Sequence, residues 1–179
     1  GITNRLAYHS DSFDLITQDL LTPGAVEELI ERVEPDWVIH CAALANLEAC
    51  EANPGQARKL NSELPGKLAS IVARGGARLL HVSTDAVFDG VRGNYDEADP
   101  PNPLSVYAQT KLEGEYAVAE ANPEAIIARV NLFGWSLTGK RSLAEFFFNN
   151  LQARNQVFGF TDVYFCPLLA NHLARIFIQ

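Results

Sequence analysis

Trp37-Val38-Ile39-His40-Cys41-Ala42-Ala43 is a continuous apolar run of strand length with no alternation of polar residues. A parallel strand covered on both faces has this pattern, whereas a half-solvated strand alternates, so a central strand is expected. Upstream, Thr22-Pro23-Gly24 followed by Ala25 to Arg32 predicts a helix with a hydroxyl cap and an apolar stripe of Val26, Leu29, Ile30 and Val33. Downstream, Pro54 to Arg74 has helical spacing, with Leu60, Leu64, Leu68, Ile71 and Val72 among its core positions and Pro65 as a kink. Gly75-Gly76 ends it. Arg78 to Ser83 predicts a second buried strand, Leu104 to Ala121 a helix, Ala125 to Val130 a third strand, and Leu143 to Arg154 and Leu169 to Ile178 two more helices. Strand and helix alternate throughout, which predicts an α/β, doubly wound parallel-sheet, Rossmann-like fold. In such sheets ligands bind beyond the carboxyl ends of the strands, so Ala42-Ala43, Ser83-Thr84 and Val130-Asn131 are expected to border one crevice.

The 179 residues are read as a single Rossmann-like domain, with about 131–179 beginning a substrate-binding portion. A 47% hydrophobic content suits a globular core, and 14 Lys+Arg against 22 Asp+Glu leave a formal charge of −8 with no basic cluster, which argues against a nucleic-acid partner. No apolar run approaches the ~20 residues of a membrane span, so a cytoplasmic protein without a membrane partner is expected. Cys41, Cys50 and Cys166 lack C-x-x-C or zinc-ligand spacing; no metal is expected, and the three are read as buried small hydrophobes.

Tyr107-Ala108-Gln109-Thr110-Lys111 places a phenol and an ammonium four residues apart, on one face of the predicted helix. A cation at ~4 Å favours a phenolate by up to roughly 4 kcal/mol at an effective dielectric of 20, enough to lower a tyrosine pKa by a few units. Tyr107 could then give its proton to a carbonyl oxygen as hydride reaches the carbon, while Thr84 hydrogen-bonds the same oxygen. An exposed i,i+4 pair is the plain alternative for this spacing.

The pair stands in an ordered set: Val82-Ser83-Thr84-Asp85-Ala86-Val87-Phe88-Asp89-Gly90, then Tyr95-Asp96-Glu97, Pro103, and Tyr107 through Lys111 to Gly114-Glu115. This set resembles the extended short-chain dehydrogenases/reductases, in particular the dTDP-4-dehydrorhamnose reductase-like group, over about Asp19 to Gly134. The resemblance implies Thr84, Tyr107 and Lys111 as catalytic residues, with Tyr107 and Lys111 also meeting the cofactor. It further implies Asp19 and Leu20 at the adenine, Ala42, Ala43 and Ser83 along the cofactor, Asn61 near the catalytic groups, and Thr84, Asp85 and Asn131 toward substrate. The implied cofactor is NADP or NAD and the implied partner a nucleotide sugar, with a homodimer possible. The implied activity is reduction of a keto group on a nucleotide-activated deoxysugar. A nucleotide-sugar epimerase or dehydratase is the enzymatic alternative. A regulatory subunit resembling that of methionine adenosyltransferase is the non-catalytic one.

For single residues, plainer readings stand beside these. Tight helix-sheet packing explains Ala42 and Ala43 as well as an approaching ligand does. Ser83 reads equally as a satisfied strand-end hydroxyl, His40 and His81 as satisfied core histidines, and Glu113 and Glu115 as the solvated face of the helix. The pattern also departs from the group: Ala86 stands where an aromatic follows S-T-D, Ala45 where a Thr is usual, and Arg129 to Gly134 lacks a tryptophan. None of the 12 glycines forms the G-x-G-x-x-G turn of a dinucleotide-binding fold, and the chain opens on Gly1 with no Met. The sequence is therefore read as lacking a first βα unit and part of a carboxyl-terminal substrate region.

Overall fold

The computed structural model describes residues 2–3, 11–136, 139, 142–164 and 166–179, and divides into two compact units, Gly1–Ala128 and Arg129–Gln179. In the first unit, β1 (Ile2–Thr3) pairs in parallel with β2 (Ile16–Thr17). There follow α1 (Ala25–Val33), β3 (Trp37–His40), α2 (Leu47–Ala52), α3 (Pro54–Arg58), a π-helical turn (Lys59–Glu63) and α4 (Leu64–Arg74). Next come β4 (Arg78–Ser83), a 3-10 turn (Asp85–Val87), α5 (Val106–Ala121) and β5 (Ile126–Arg129). β3, β4 and β5 form a sheet in that order, with β3 parallel to β4 and His40 opposite His81. The fold is thus α/β with parallel sheets, as the alternating pattern requires.

Val26, Leu64, Leu68, Ala69, Ile71, Val72, Leu79 and Val118 make the core, which lies between the sheet and helices α1, α4 and α5. An ion pair between Lys67 and Glu27, 2.9 Å apart, links α4 to α1. The central strand is β4, with Leu79, Leu80, His81 and Ser83 all buried. β3 is instead an edge strand among the described residues: Trp37 and Ile39 are exposed, and the Arg78 guanidinium lies 4.4 Å over the Trp37 ring.

Other local expectations change as well. The residue capping α1 is Gly24, at φ +83° and with no side-chain cap bond, because the turn that enters the helix needs a left-handed conformation that Thr22 does not supply. The helical stretch from Pro54 is continuous, but its irregularity is the π-helical turn just before Pro65. Pro65 has no N–H to offer the Asn61 carbonyl four residues back, and the widened turn accommodates that missing bond. Of the cysteines only Cys50 is buried, while Cys41 and Cys166 are exposed.

α5 packs on both sides, with Ala108, Thr110, Lys111, Leu112, Gly114, Glu115 and Val118 all buried. Its approach to the neighbouring helix requires two glycines. A Cβ on Gly114 would fall 2.1 Å from the Asn61 carbonyl oxygen, and one on Gly66 would fall 2.8 Å from the Ala117 Cβ.

In the second unit, β6 (Leu132–Phe133) pairs in parallel with β7 (Leu168–Leu169), and α6 (Leu143–Gln152) and α7 (Ala170–Phe177) complete it. Ser142 and Glu145 form a capping box on α6. The fully buried Glu145 carboxylate also accepts from the Ser136 hydroxyl at 3.0 Å. Among the described residues no helix is long and apolar enough to cross a membrane.

Gly114→Ala is expected to destabilise the first unit by about 1–3 kcal/mol or more, since the added methyl meets backbone rather than a side chain that can turn away. Urea unfolding followed by circular dichroism checks this. A midpoint equal to that of the unsubstituted chain would show that α5 can move off the Asn61 carbonyl at no cost.

Candidate functional site

The start of α5 is held from two directions. Ser105 accepts from Ala108 N at 3.2 Å as the N-cap, and the Glu51 carboxylate accepts from Val106 N at 2.9 Å. This fixes Tyr107 in the first turn and Lys111 one turn on. Arg58 adds a fork onto Glu113, with Nε 2.9 Å and a terminal nitrogen 3.3 Å from its two oxygens. Glu113 is therefore paired rather than simply solvated.

Thr84 leaves the carboxyl end of β4 and is 7% exposed. Its hydroxyl accepts from Ala86 N at 3.2 Å and donates to Asp85 Oδ1 at 3.3 Å. Tyr107 is half-buried, and burial pushes its phenol pKa up; a hydrogen bond with Thr84 pulls it down, and the Asp85 and Cys50 charges raise it further. Thr84, Asp85 and Tyr107 thus come together, but the phenol is held in its protonated form rather than driven toward phenolate.

Lys111 lies on the same helix and is 2% exposed. Its ammonium donates to the Val82 carbonyl at 2.7 Å and lies 3.5 Å from His81 Nε2. Burial lowers its pKa to about 8, against the pull of Glu115 and Cys41. The expected effect of this cation on the phenol is not what the structure gives: the charge is spent on the end of β4 and its neighbours.

Glu115, read from sequence as solvated, is 3% exposed and accepts from the Ser83 hydroxyl at 2.5 Å. Ser83 is therefore a satisfied strand-end hydroxyl held against α5. The reason is spacing: Glu115 is four residues after Lys111, so the turn that buries one buries the other. His40 and His81 stack with centroids 5.1 Å apart and their Nδ1 atoms 2.9 Å apart. Both are buried, which lowers their pKa values to about 4 and about 3. They are core histidines, yet His40 Nε2 is buried with no hydrogen-bond partner among the described residues, so the pair is not fully satisfied.

Asn61 is fully buried in the π-helical turn and braces the loop after β3. Its Oδ1 accepts from Leu44 N at 2.8 Å, and its Nδ2 donates to Leu44 O and to Thr110 Oγ1, both at 3.1 Å. Cys50 Sγ donates to the same Leu44 carbonyl at 3.2 Å. With both amide protons used, Asn61 positions the loop and α5. Ala42 and Ala43 lie in that loop and are exposed. A cavity of about 510 Å³ opens beside β3, and Gln18, Asp19, Leu20, His40, Cys41 and Ala42 are among its lining residues. Asp19 also accepts from Leu21 N at 3.0 Å. Asn131 belongs to the second unit, where its carbonyl accepts from Leu168 N at 2.9 Å.

Residues 4–179 match the family described as RmlD substrate binding domain. The chain belongs to this family. Among curated relatives, the probable low-salt glycan biosynthesis reductase Agl14 of Haloferax volcanii is 36% identical over 97% of this chain and 60% of its own length. The dTDP-4-dehydrorhamnose reductase of Mycobacterium tuberculosis is 43% identical over 68% of this chain and 40% of its own length. Methionine adenosyltransferase 2 subunit beta of Bos taurus is 39% identical over 77% and 42%. The chain therefore spans 40–60% of the length of these curated relatives. Among solved structures, a hypothetical dTDP-4-dehydrorhamnose reductase from Sulfolobus tokodaii superposes with a TM-score of 0.86 at 28% identity, covering 99% of this chain and 62% of that one. The Bacillus anthracis reductase in complex with NADP shares the fold, with a TM-score of 0.84 at 24% identity over 93% of this chain and 61% of that one.

The two buried imidazoles carry a stability signature. The unfolded chain takes up their protons as pH falls below 6.5, while the folded protein resists until about 4 and about 3. Stability is therefore expected to fall as pH drops from 6.5 toward 3, at ~1.4 kcal/mol per pH unit for each group that the unfolded state alone has protonated. Chemical denaturation of the unsubstituted chain and of His40→Phe across this window checks it; equal slopes would remove His40 from the account.

Proposed function

We propose that the protein is an NAD(P)H-dependent reductase acting on a keto group of a nucleotide-activated deoxysugar. The observation that carries this reading is the Thr84–Tyr107 pair at the end of β4, with Lys111 buried one turn along α5. Names of relatives support it, since both the glycan biosynthesis enzyme and the mycobacterial enzyme are called reductases.

Residues of the chain fit a dinucleotide in the chemistry they offer. Asp19, Leu20 and Ala42 line one cavity, where a carboxylate beside apolar walls suits a nucleoside, and Ala43 follows on the exposed loop. Lys111 and Tyr107 would offer an ammonium and a hydroxyl to a bound cofactor, whose reduced nicotinamide would supply the hydride. Tyr107 then donates its phenolic proton to the carbonyl oxygen, a task suited to a phenol whose burial keeps the proton on at neutral pH. Thr84 hydrogen-bonds the same oxygen as negative charge develops on it. Asp85 is assigned to the substrate side. Ala86 and Ala45 leave that side with fewer polar contacts, which suits a nucleotide sugar other than the dTDP-rhamnose precursor.

Tyr107→Phe is expected to lower turnover by roughly the 10²–10⁴ of general acid catalysis. Steady-state kinetics with NADPH and a panel of nucleotide-linked 4-keto sugars decides. The relationship to the methionine adenosyltransferase subunit offers a second reading, a binding subunit. Copurification with a synthetase and no reduction of any sugar in the panel would favour it.

A further inference from the structure

Val106, the first residue of α5, is held at both of its backbone groups. Its N–H donates to the Glu51 carboxylate of α2 at 2.9 Å, and its carbonyl accepts from the Thr110 hydroxyl at 2.8 Å. The same hydroxyl lies 3.0 Å from the Tyr107 carbonyl. Thr110 is 1% exposed, and its oxygen in turn accepts from Asn61 Nδ2 at 3.1 Å, while Asn61 bonds both backbone groups of Leu44. Cys50, fully buried and next to Glu51 on α2, donates to the Leu44 carbonyl at 3.2 Å. Two adjacent residues of α2 therefore reach the turn that carries Tyr107 by two routes, one direct and one through Leu44, Asn61 and Thr110.

A first turn is the least bonded part of a helix, because its N–H groups have no partner within the helix. Ser105 takes the N–H of Ala108 on its hydroxyl and that of Gln109 on its carbonyl at 2.9 Å, which leaves the N–H of Val106 to Glu51. A carboxylate accepting at the amino end of a helix makes a charge-assisted bond and is favoured by the helix dipole. Tyr107 comes next in the chain, so an opening at Val106 swings the phenol that hydrogen-bonds with Thr84. Displacing a reacting group by about 1 Å can cost roughly 10²-fold in rate. Glu51 is exposed and lies 55 residues before Val106, so removing its side chain takes away the bond without opening a cavity in the core.

We propose that Glu51 is a positioning residue for Tyr107: from α2 it closes the first turn of α5 at Val106 and so keeps the phenol against Thr84. Glu51 acts through the backbone and supplies no reacting group. Thr110 closes the same turn from within the helix, and its bond to Asn61 ties that closure to the loop after β3. The part Glu51 plays in turnover rests on the reductase reading, in which Tyr107 is the proton donor. Its hold on the turn does not.

Amide exchange and tyrosine NMR signals of the chain read this hold without cofactor or substrate. Glu51→Ala is expected to speed exchange of the Val106 amide by about tenfold, on the scale of a lost helix cap. The Asn122 amide at the far end of α5, bonded to the Val118 carbonyl at 2.8 Å, should keep its rate. The ¹³Cζ signal of Tyr107, assigned from its absence in Tyr107→Phe, should move as the phenol leaves Thr84. Glu51→Gln keeps a carbonyl oxygen for the Val106 N–H and is expected to restore most of both readouts. A Val106 amide that exchanges at its original rate in Glu51→Ala overturns the proposal. So does equal acceleration at Val106 and Asn122, which a general loss of stability would give, and so does a Tyr107 signal that stays in place while Val106 opens. In turnover, Glu51→Ala should lower kcat by about ten- to a hundredfold with KM nearly unchanged. An unchanged kcat beside a displaced Tyr107 signal would instead count against Tyr107 as the proton donor, and so against the reductase reading. If the unsubstituted chain reduces no sugar, that reading falls, and the exchange and Tyr107 signals still decide the role of Glu51.

Discussion

The contact on which the site depends is the one between the backbone of Gly114 and the carbonyl of Asn61. Only a residue with no Cβ lets α5 lie that close, since any larger side chain would sit 2.1 Å from the oxygen. The same carbonyl belongs to the π-helical turn, where Pro65 cannot supply the usual helical N–H. A wide turn on one helix and a missing side chain on the other therefore meet at one point. Tyr107, Lys111 and Glu115 project from the helix placed there. Asn61 joins the two sides again by holding Thr110 with one amide proton and Leu44 with the other.

That close packing sets the electrostatics. A lysine on an exposed helix face would stay near its ordinary pKa and contribute little to its surroundings. Lys111 is instead 2% exposed, and burial outweighs the favourable charge of Glu115 in bringing it down to about 8. Burial raises Tyr107 for the same reason, since in both cases the charged form is disfavoured. The consequence is a phenol that keeps its proton and an ammonium close to losing one. A phenol that keeps its proton is one that can donate it.

Much of this was legible in the sequence. Arg78 to Ser83 reads as a buried strand and is β4 residue for residue. Trp37 to Ala43 has a similar look, and its strand ends at His40. Tyr107 and Lys111 stand out by spacing, and so should Glu115, which follows Lys111 at the same interval. Its burial is not visible from its own stretch, because the partner that permits it, Ser83, is 32 residues away in sequence. α2 was not anticipated, although Asn46 and Asn53 cap it and the helix after it at intervals that mark helix starts.

The residues that carry the family resemblance divide into two kinds of work. Thr84, Tyr107 and Lys111 present groups that can react, whereas Phe88, Asp89 and Tyr95 fold the segment between them. Asp89 accepts from the Tyr95 hydroxyl, from Asn102 Nδ2 at 2.9 Å and from Val91 N at 3.0 Å, and these bonds, led by Tyr95, bring its pKa down to about 2. The Phe88 and Tyr95 rings stack with centroids 4.5 Å apart. Asn102 N reaches back to the Val87 carbonyl at 2.9 Å, so the chain that leaves β4 at Thr84 is turned round and delivered to Ser105 at the start of α5. A long connection has many conformations to lose, and a single ionised carboxylate with three donors selects one of them. The aspartate and tyrosine of that connection therefore serve the site without entering it, by making the end of β4 and the first turn of α5 arrive at the same place.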